Sequence, residues 1–276
     1  MRIFFCSIVL VFLLAACSNK FGTALKSKDN EYKYKIAEQY YANKQFGFAQ
    51  QLYEQLFPYI KGTDRYEDMY YKFALCFYND KDYPNAENIF KTFAETFPAS
   101  KKAEESEYNR AYCYYKQSPK VELDQTTTRK AMSLMQAFIN GHPGSARNKE
   151  ANDIIDVCRE KLELKDFKSA ELYYNVGQFR AAATAFNNLY EDFPDSKRAD
   201  EYKLQVIKSY YKFAELSWFD KQEERFNKVL AECTDFVERF TESQYLTEVK
   251  KYKQDTIDYL NKIKAKNEQD KKTNKS

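Results

Sequence analysis

A spacing pattern of four residues recurs along the chain and restricts the fold to stacked helical repeats. In its clearest copy Ala86 is followed by Phe90 four positions later, Phe93 seven positions later and Pro98 twelve positions later. Residues spaced by four and seven lie on one face of a helix, and the proline ends that helix. One copy cannot bury its apolar face alone, so the copies must stack. The other copies begin at Ala49, Ala131, Ala182 and Val229, of which the first and last lack the proline.

Residues upstream of each anchor predict a preceding helix, so each repeat is a helical hairpin. In the second repeat Ala74, Phe77 and Tyr83 lie twelve, nine and three positions before Ala86. The small residue allows two helices to approach closely, and the aromatic residue fills the space beside it. This arrangement resembles the tetratricopeptide repeat. The resemblance implies an all-α fold, a tetratricopeptide-repeat solenoid of about five helical hairpins plus a C-terminal capping helix.

Apolar periodicity and helix-ending residues divide the chain into segments. Three junctions have an aromatic residue or histidine, a proline and a serine, as in Phe97-Pro98-Ala99-Ser100, where the serine can accept a backbone N–H of the next helix. Lysines dominate the C-terminus, which predicts disorder there. The predicted segments are a signal peptide at 1–16, a lipidated tether at 17–30, a solenoid at 31–263 with hairpins near 31–59, 66–97, 103–140, 146–193 and 199–240 and a cap helix at 245–263, and a basic disordered tail at 264–276.

The N-terminus predicts export and lipidation. Arg2 precedes an almost wholly apolar run, Ile3–Leu14, which is too short to span a bilayer as a mature helix. The run ends in Leu-Ala-Ala-Cys, which is similar to a bacterial lipoprotein cleavage box with Cys17 as the lipidated residue. An ordinary secretory signal that happens to carry a cysteine is the alternative. Ser18 follows the cysteine, and by resemblance to proteobacterial sorting this favours the outer membrane.

Composition excludes several classes of function. A formal charge of +3 over 276 residues provides no basic field for nucleic acid. His142 is the only histidine, and no serine or cysteine nucleophile accompanies it in the sequence. The internal cysteines lack the close spacing of a zinc site, so they are expected to be small buried hydrophobes. We therefore expect no enzyme activity, no metal and no cofactor beyond the covalent lipid on Cys17.

Two surfaces are candidates for partner binding. Tyrosines seven positions apart share one face of a first helix, and the sequence leaves open whether they line a peptide groove or pack against a neighbouring hairpin. The candidate peptide-binding residues are Tyr34, Tyr41, Tyr71, Tyr78, Asn79, Asn109, Arg110 and Lys116. Basic residues at the start of the fifth hairpin either pair with an acidic partner domain or are solvated charges. They are Lys197, Arg198, Lys203 and Lys208.

Taken together, the lipidation box, the five hairpins, the Phe-Pro-x-Ser junctions and the capping helix resemble the BamD family of outer-membrane assembly lipoproteins. The segment Glu-Leu-Tyr-Tyr-Asn-Val-Gly-Gln-Phe at 171–179 is similar to the family's equivalent. The resemblance implies a scaffold of the β-barrel assembly complex, anchored by lipid at the periplasmic face of the outer membrane. Its expected partners are a BamA-like barrel protein with periplasmic repeat domains, unfolded outer-membrane proteins and other assembly lipoproteins. In the family a basic residue at the start of repeat five docks BamA, and Arg198 lies nearest to it.

A different periplasmic tetratricopeptide lipoprotein, an adaptor for cell-wall synthesis or envelope constriction, is the competing interpretation. Proteins of that kind often carry an N-terminal coiled coil. Heptads are missing between Lys20 and Tyr34, which counts against this alternative.

Overall fold

The structure, a computed structural model, describes residues 20–273. The predicted signal peptide and Cys17 lie outside the described residues. All regular elements within 20–273 are α-helices, so the predicted all-α fold is confirmed for this part of the chain. The chain forms two compact units, divided after Arg159.

The first unit contains three helical hairpins preceded by a short helix. Connections within the first two hairpins are only three residues long, which forces the paired helices into contact. The helices are α1 (20–26), α2 (Asn30–Ala42), α3 (Phe46–Ile60), α4 (Tyr66–Asn79), α5 (Tyr83–Thr96), α6 (Ala103–Gln117), α7 (Thr126–Gly141) and the start of α8 (Asn148–Asn175).

The second unit contains the rest of α8 and four further helices. A single helix of 28 residues, α8, forms the first part of the fourth predicted hairpin, near 146–193. The others are α9 (Phe179–Asp192), α10 (Ala199–Glu215), α11 (Phe219–Arg239) and α12 (Leu246–Thr273).

Two predicted irregular segments are helical instead. Residues 20–26, predicted to be part of a tether, form α1, because Ala24 is completely buried and the Phe21 ring lies 4.6 Å from the ring of Phe48. The predicted tail also continues as helix to Thr273. No glycine or proline interrupts residues 264–273, and lysine, glutamate and glutamine are good helix formers. Charge alone therefore did not prevent helix formation.

The repeat anchors form the core, as the spacing predicted. Ala86, Phe90 and Phe93 have no exposed surface, and the anchors Ala49 and Ala182 are likewise fully buried. Burying an aromatic side chain of this kind contributes roughly 1.5–3 kcal/mol relative to exposure. The copies without the proline are buried equally well, so the proline only ends the helix and is not needed for packing.

The turns inside three hairpins share one backbone conformation. Lys44, Lys81 and Gly177 have positive φ angles of 57°, 62° and 77°. In the second hairpin the next residue, Asp82, donates its N–H to the carbonyl of Phe77 at 2.9 Å. This is the hydrogen-bond pattern of a helix end closed by a left-handed residue. The hairpin pattern predicted a turn between Phe77 and Tyr83 but not its left-handed lysine.

The junction serines connect one hairpin to the next. The Oγ of Ser100 accepts the N–H of Lys102 at 3.0 Å, as predicted, and it also donates to the Glu67 carboxylate at 2.6 Å. Glu67 belongs to the first helix of the preceding hairpin. Each later junction repeats both contacts. Its serine–carboxylate pairs are Ser145–Glu104, Ser196–Glu163 and Ser243–Asp200.

Replacing a junction serine by alanine should therefore destabilise the fold. We expect Ser100→Ala to lower the free energy of unfolding by about 1–2 kcal/mol, because Glu67 and the Lys102 N–H both lose a partner. Urea denaturation followed by circular dichroism measures this change. Ser133→Ala, at an exposed position of α7, is the control and should change the midpoint little. Equal effects of the two substitutions would contradict the role of the junction.

Candidate partner-binding surface

The four candidate tyrosines of α2 and α4 are half-buried and pack within their own hairpins. The Tyr71 ring centroid lies 5.4 Å from that of Phe93 and 6.2 Å from that of Phe90. Tyr78 contacts Phe90 from the other side at 6.1 Å. The contacts with Phe90 and Phe93 lie within one hairpin, whereas Tyr78 also lies 6.1 Å from Tyr112 of the next hairpin, so a peptide groove and packing against a neighbouring hairpin both stay predictions. These contacts do not cover the rings fully, so a partner can still reach them.

A cation lies over each of a series of tyrosines in the first unit. Lys102, which precedes α6, places its Nζ 5.2 Å from the ring centroid of Tyr71 on α4. Such contacts contribute about 0.5–1 kcal/mol each at exposed sites. We call this series the cation–tyrosine ladder. It comprises the pairs Arg65–Tyr34, Lys72–Tyr41, Lys102–Tyr71 and Arg147–Tyr108.

Carboxylates hold the cations of the ladder in place. Asp68 contacts both Lys102, at 2.6 Å, and Lys72, at 2.8 Å. Burial acts to raise the pKa of Asp68, but the two lysines outweigh burial and lower that pKa overall. Asp68 therefore stays ionised at neutral pH. Further pairs at the two ends of the ladder are Arg65–Glu31 at 2.8 Å and Arg147–Glu105 at 2.7 Å.

The tyrosines of the ladder remain neutral at physiological pH. Burial raises the pKa of Tyr71 to about 12, with the neighbouring Glu105 acting in the same direction. Burial likewise raises the pKa of Tyr78, which lies seven positions after Tyr71 on α4 and outside the ladder, to about 12. Both rings can therefore pack against an apolar side chain of a ligand, and both hydroxyls can donate hydrogen bonds to it.

Two cavities adjoin the N-terminal end of the ladder. One, of about 250 Å³, is lined by the aromatic and aliphatic side chains Tyr34, Leu56 and Tyr59. The other is more open and extends along α2, with a volume of about 850 Å³. Tyr34, Glu31 and Arg65 line both. This end of the ladder thus combines an aromatic ring, an accessible cation and room for a ligand.

The other predicted peptide-binding residues do not join this surface as a group. Asn79 is exposed and donates to the carbonyl of Leu75 at 2.7 Å within its own helix. Asn109 is buried, with 7% of its surface exposed, so its prediction as a groove residue is wrong. Arg110 lines a different cavity beside α5 and α7. Lys116 also lies over a tyrosine of the first unit, since its Nζ is 4.9 Å from the ring centroid of Tyr112 on α6.

The predicted docking residues of the second unit also differ in accessibility. Lys203 is buried, with 5% exposure, and its Nζ pairs with Glu232 at 2.7 Å, so it is wrongly assigned to a docking surface. Lys208 pairs with Glu248 at 3.1 Å and is partly exposed. Arg198 lies over the Phe167 ring at 4.2 Å and bonds Glu201 at 2.8 Å. Lys197 is exposed. The sequence analysis assumed that charged residues are exposed. In the structure Glu232 and Asp235 of α11 pair with Lys203 inside the unit.

The cations of the ladder were missed, although the sequence carries a signal for them. Arg65 follows Tyr34 by 31 residues, and Lys102 follows Tyr71 by the same interval. The pair Phe167 and Arg198 in the second unit has that interval too. An acidic residue three positions before the tyrosine completes the pattern at Glu31 and Asp68. The spacing is recognisable once the contact is known.

Neither a metal cluster nor a membrane span is found in the part of the chain that the structure describes. No group of three or more potential ligating side chains is close enough to hold a metal ion within this part. No helix among the described residues has the length and apolar content needed to cross a bilayer. His142 contacts Glu107 at 2.9 Å and stacks near Phe138.

Comparison with protein families identifies the class of this protein. The model of the YfiO family, described as outer membrane lipoprotein, matches residues 26–197. The match covers more than half of the chain, from the end of α1 through all four ladder pairs to the junction before α10. The chain therefore belongs to this family of outer membrane lipoproteins.

Solved structures with similar folds are distant. The TPR2AB domain of yeast Sti1 in complex with pHSP90 has 11% identity and a TM-score of 0.39, over 82% of this chain and 98% of that chain. Kinesin-light-chain-like repeats from Podosopora anserina have 11% identity and a TM-score of 0.32, over 74% and 94%. A search of curated proteins gave no significant match.

Substitution of Tyr71 and Tyr78, which lie seven positions apart on α4, tests their packing role. We expect Tyr71→Ala combined with Tyr78→Ala to lower the free energy of unfolding by at least about 3 kcal/mol, because contacts with Phe90 and Phe93 are lost. The matched variant, Tyr71→Phe with Tyr78→Phe, keeps the rings and should unfold at nearly the same urea concentration. If the alanine variant were as stable as the unsubstituted chain, the tyrosines would have to be free groove residues.

Proposed function

We propose that this protein is a lipid-anchored, non-enzymatic scaffold subunit of the outer-membrane β-barrel assembly complex. The observation that carries the proposal is the family match over residues 26–197 on a fold of consecutive helical hairpins. Helical repeats of this type present extended surfaces to other proteins. The lipidation box adds a means of attachment. In this proposal Cys17 carries the lipid and holds the protein on the periplasmic face of the outer membrane.

The first unit is proposed to bind the C-terminal segment of unfolded outer-membrane proteins. At the open end of the ladder, Arg65 can pair with a terminal carboxylate, while the Tyr34 ring can contact an apolar or aromatic side chain. Glu31, the present partner of Arg65, is 80% exposed and so gives up this contact at little cost. The cavities beside Tyr34 provide the space that an extended peptide needs.

The second unit is proposed to dock the periplasmic repeat domains of a BamA-like barrel protein. Lys197 and Arg198 are the residues of the predicted set that remain accessible at the start of α10. Glu201 orients the Arg198 guanidinium, and Phe167 supports it from below. A fixed guanidinium of this kind can recognise a carboxylate of a partner domain. Lys203 is excluded because Glu232 already neutralises it inside the unit.

Affinity purification tests the proposed assembly role. Tagged protein is recovered from detergent-solubilised envelopes of cells that express it in acylated form, and co-purified proteins are identified by mass spectrometry. We expect a large barrel protein with periplasmic repeat domains, and we expect its yield to fall with Arg198→Glu but not with Lys149→Glu, at an exposed position of α8. Recovery of peptidoglycan enzymes instead would support the cell-wall adaptor.

Peptide binding tests the first unit separately. A fluorescent peptide that copies the last strand of a barrel protein is titrated with the purified chain, and its anisotropy is measured. Arg65→Ala should weaken binding by about tenfold, since a charge-assisted hydrogen bond to the terminal carboxylate is lost. Amidation of the peptide terminus should weaken binding to a similar extent. Arg129→Ala, at an exposed site on α7, is the control. Equal binding of the amidated peptide would contradict the role of Arg65.

A further inference from the structure

The turn between α10 and α11 exposes three apolar side chains within four residues. Trp218 is 85% exposed and Leu216 is 71% exposed, while Phe219 is partly covered. Trp218 is also the only tryptophan in the chain. Exposed apolar side chains on a soluble surface are normally scattered singly, and a contiguous group of them marks an interaction site.

The C-terminal part of α12 lies against this turn. The Nζ of Lys266 is 4.3 Å from the ring centroid of Phe219. Tyr259 fixes this position, because its ring stacks on Phe226 of α11 with centroids 4.9 Å apart, and Ile263 is buried below it. The basic end of α12 and the apolar turn therefore form one continuous surface.

The α12 part of this surface has an excess of positive charge. Residues 261–269 contain three lysines and one acid, Glu268. Two of the acids next to the turn have lysines of their own, since Asp220 lies 3.8 Å from Lys221 and Glu215 lies 2.8 Å from Lys212. The lysines of α12 thus remain available to bind an external anion.

We propose that the turn and the α12 lysines bind an anionic lipid surface and give the protein a second membrane contact. Tryptophan is the side chain most suited to the headgroup region of a bilayer, where its ring is buried and its N–H stays hydrated. Lysines beside it attract lipid phosphates. A single weak lipid signal holds a protein only reversibly, whereas two signals act together. We call this the turn–lysine surface, formed by Leu216, Trp218, Phe219, Lys262 and Lys266. The proposal does not depend on the assembly role.

Trp218 provides its own readout, because no other tryptophan contributes to the fluorescence. The chain from residue 17, with Cys17→Ser to exclude acylation, is mixed with phosphatidylcholine vesicles that contain or lack phosphatidylglycerol. We expect the emission to shift to shorter wavelength only with the anionic vesicles, and brominated lipids to quench it. Lys262→Gln and Lys266→Gln should each weaken vesicle binding by roughly fivefold.

Matched variants test whether vesicle binding depends on this surface or on any exposed lysine or apolar side chain. Leu216→Asp should abolish vesicle binding, whereas Leu172→Asp, at an exposed position of α8, should not change it. Lys250→Gln, on the same helix as Lys266 but away from the turn, is the charge control. Circular dichroism checks that each variant is folded. If Trp218 keeps a fully hydrated emission in anionic vesicles, or responds only to added envelope proteins, the lipid proposal is wrong.

Discussion

Close contact between helices at buried alanines is the constraint on which the rest of the structure depends. Ala37 and Ala49 in the first hairpin, and Ala74 and Ala86 in the second, have no exposed surface. With only a Cβ at these positions, the helices approach until the large aromatic residues on either side make contact. A larger side chain there would separate the hairpin and cost about 1–3 kcal/mol through overpacking. The same approach brings each first helix within reach of the next, which allows the cation–tyrosine ladder to form.

The ladder contributes both to stability and to the proposed binding surface, and its members differ in how firmly they are held. Lys72 contacts two carboxylates, Glu38 and Asp68, and only 23% of its side chain is exposed. Burial acts to lower the pKa of Lys72, but these carboxylates outweigh it and raise that pKa, so the lysine stays charged. The carboxylate that pairs with Arg65, that of Glu31, is itself largely exposed. In the binding that we propose, a ligand carboxylate would therefore replace a partner most easily at Arg65, at the N-terminal end of the ladder.

Sequence reasoning predicted the helices and the core because both follow from local periodicity. The anchor pattern at Ala86 identified buried residues, and Pro98 and Ser100 identified a junction. The ladder and the burial of Lys203 could not be read in the same way, since each depends on which helix lies opposite. Lys203 and Lys197 look alike in the sequence, and the acids Glu232 and Asp235 on α11 distinguish them. The helical state of residues 20–26 was missed because Ala24 becomes buried only by contact with the first hairpin.

Burial also explains how reduced thiols fit a chain that we propose to act in the oxidising periplasm. Cys76, Cys113 and Cys233 are buried within the helical hairpins, and burial raises the pKa of each thiol to about 12. At neutral pH almost none of each thiol is present as the thiolate, which is the species that attacks a disulfide. Oxidation therefore requires that a hairpin open first. The packing that forms the candidate partner-binding surface therefore also protects the cysteines from oxidation. A substitution that loosens a hairpin should disturb this surface and expose the thiols.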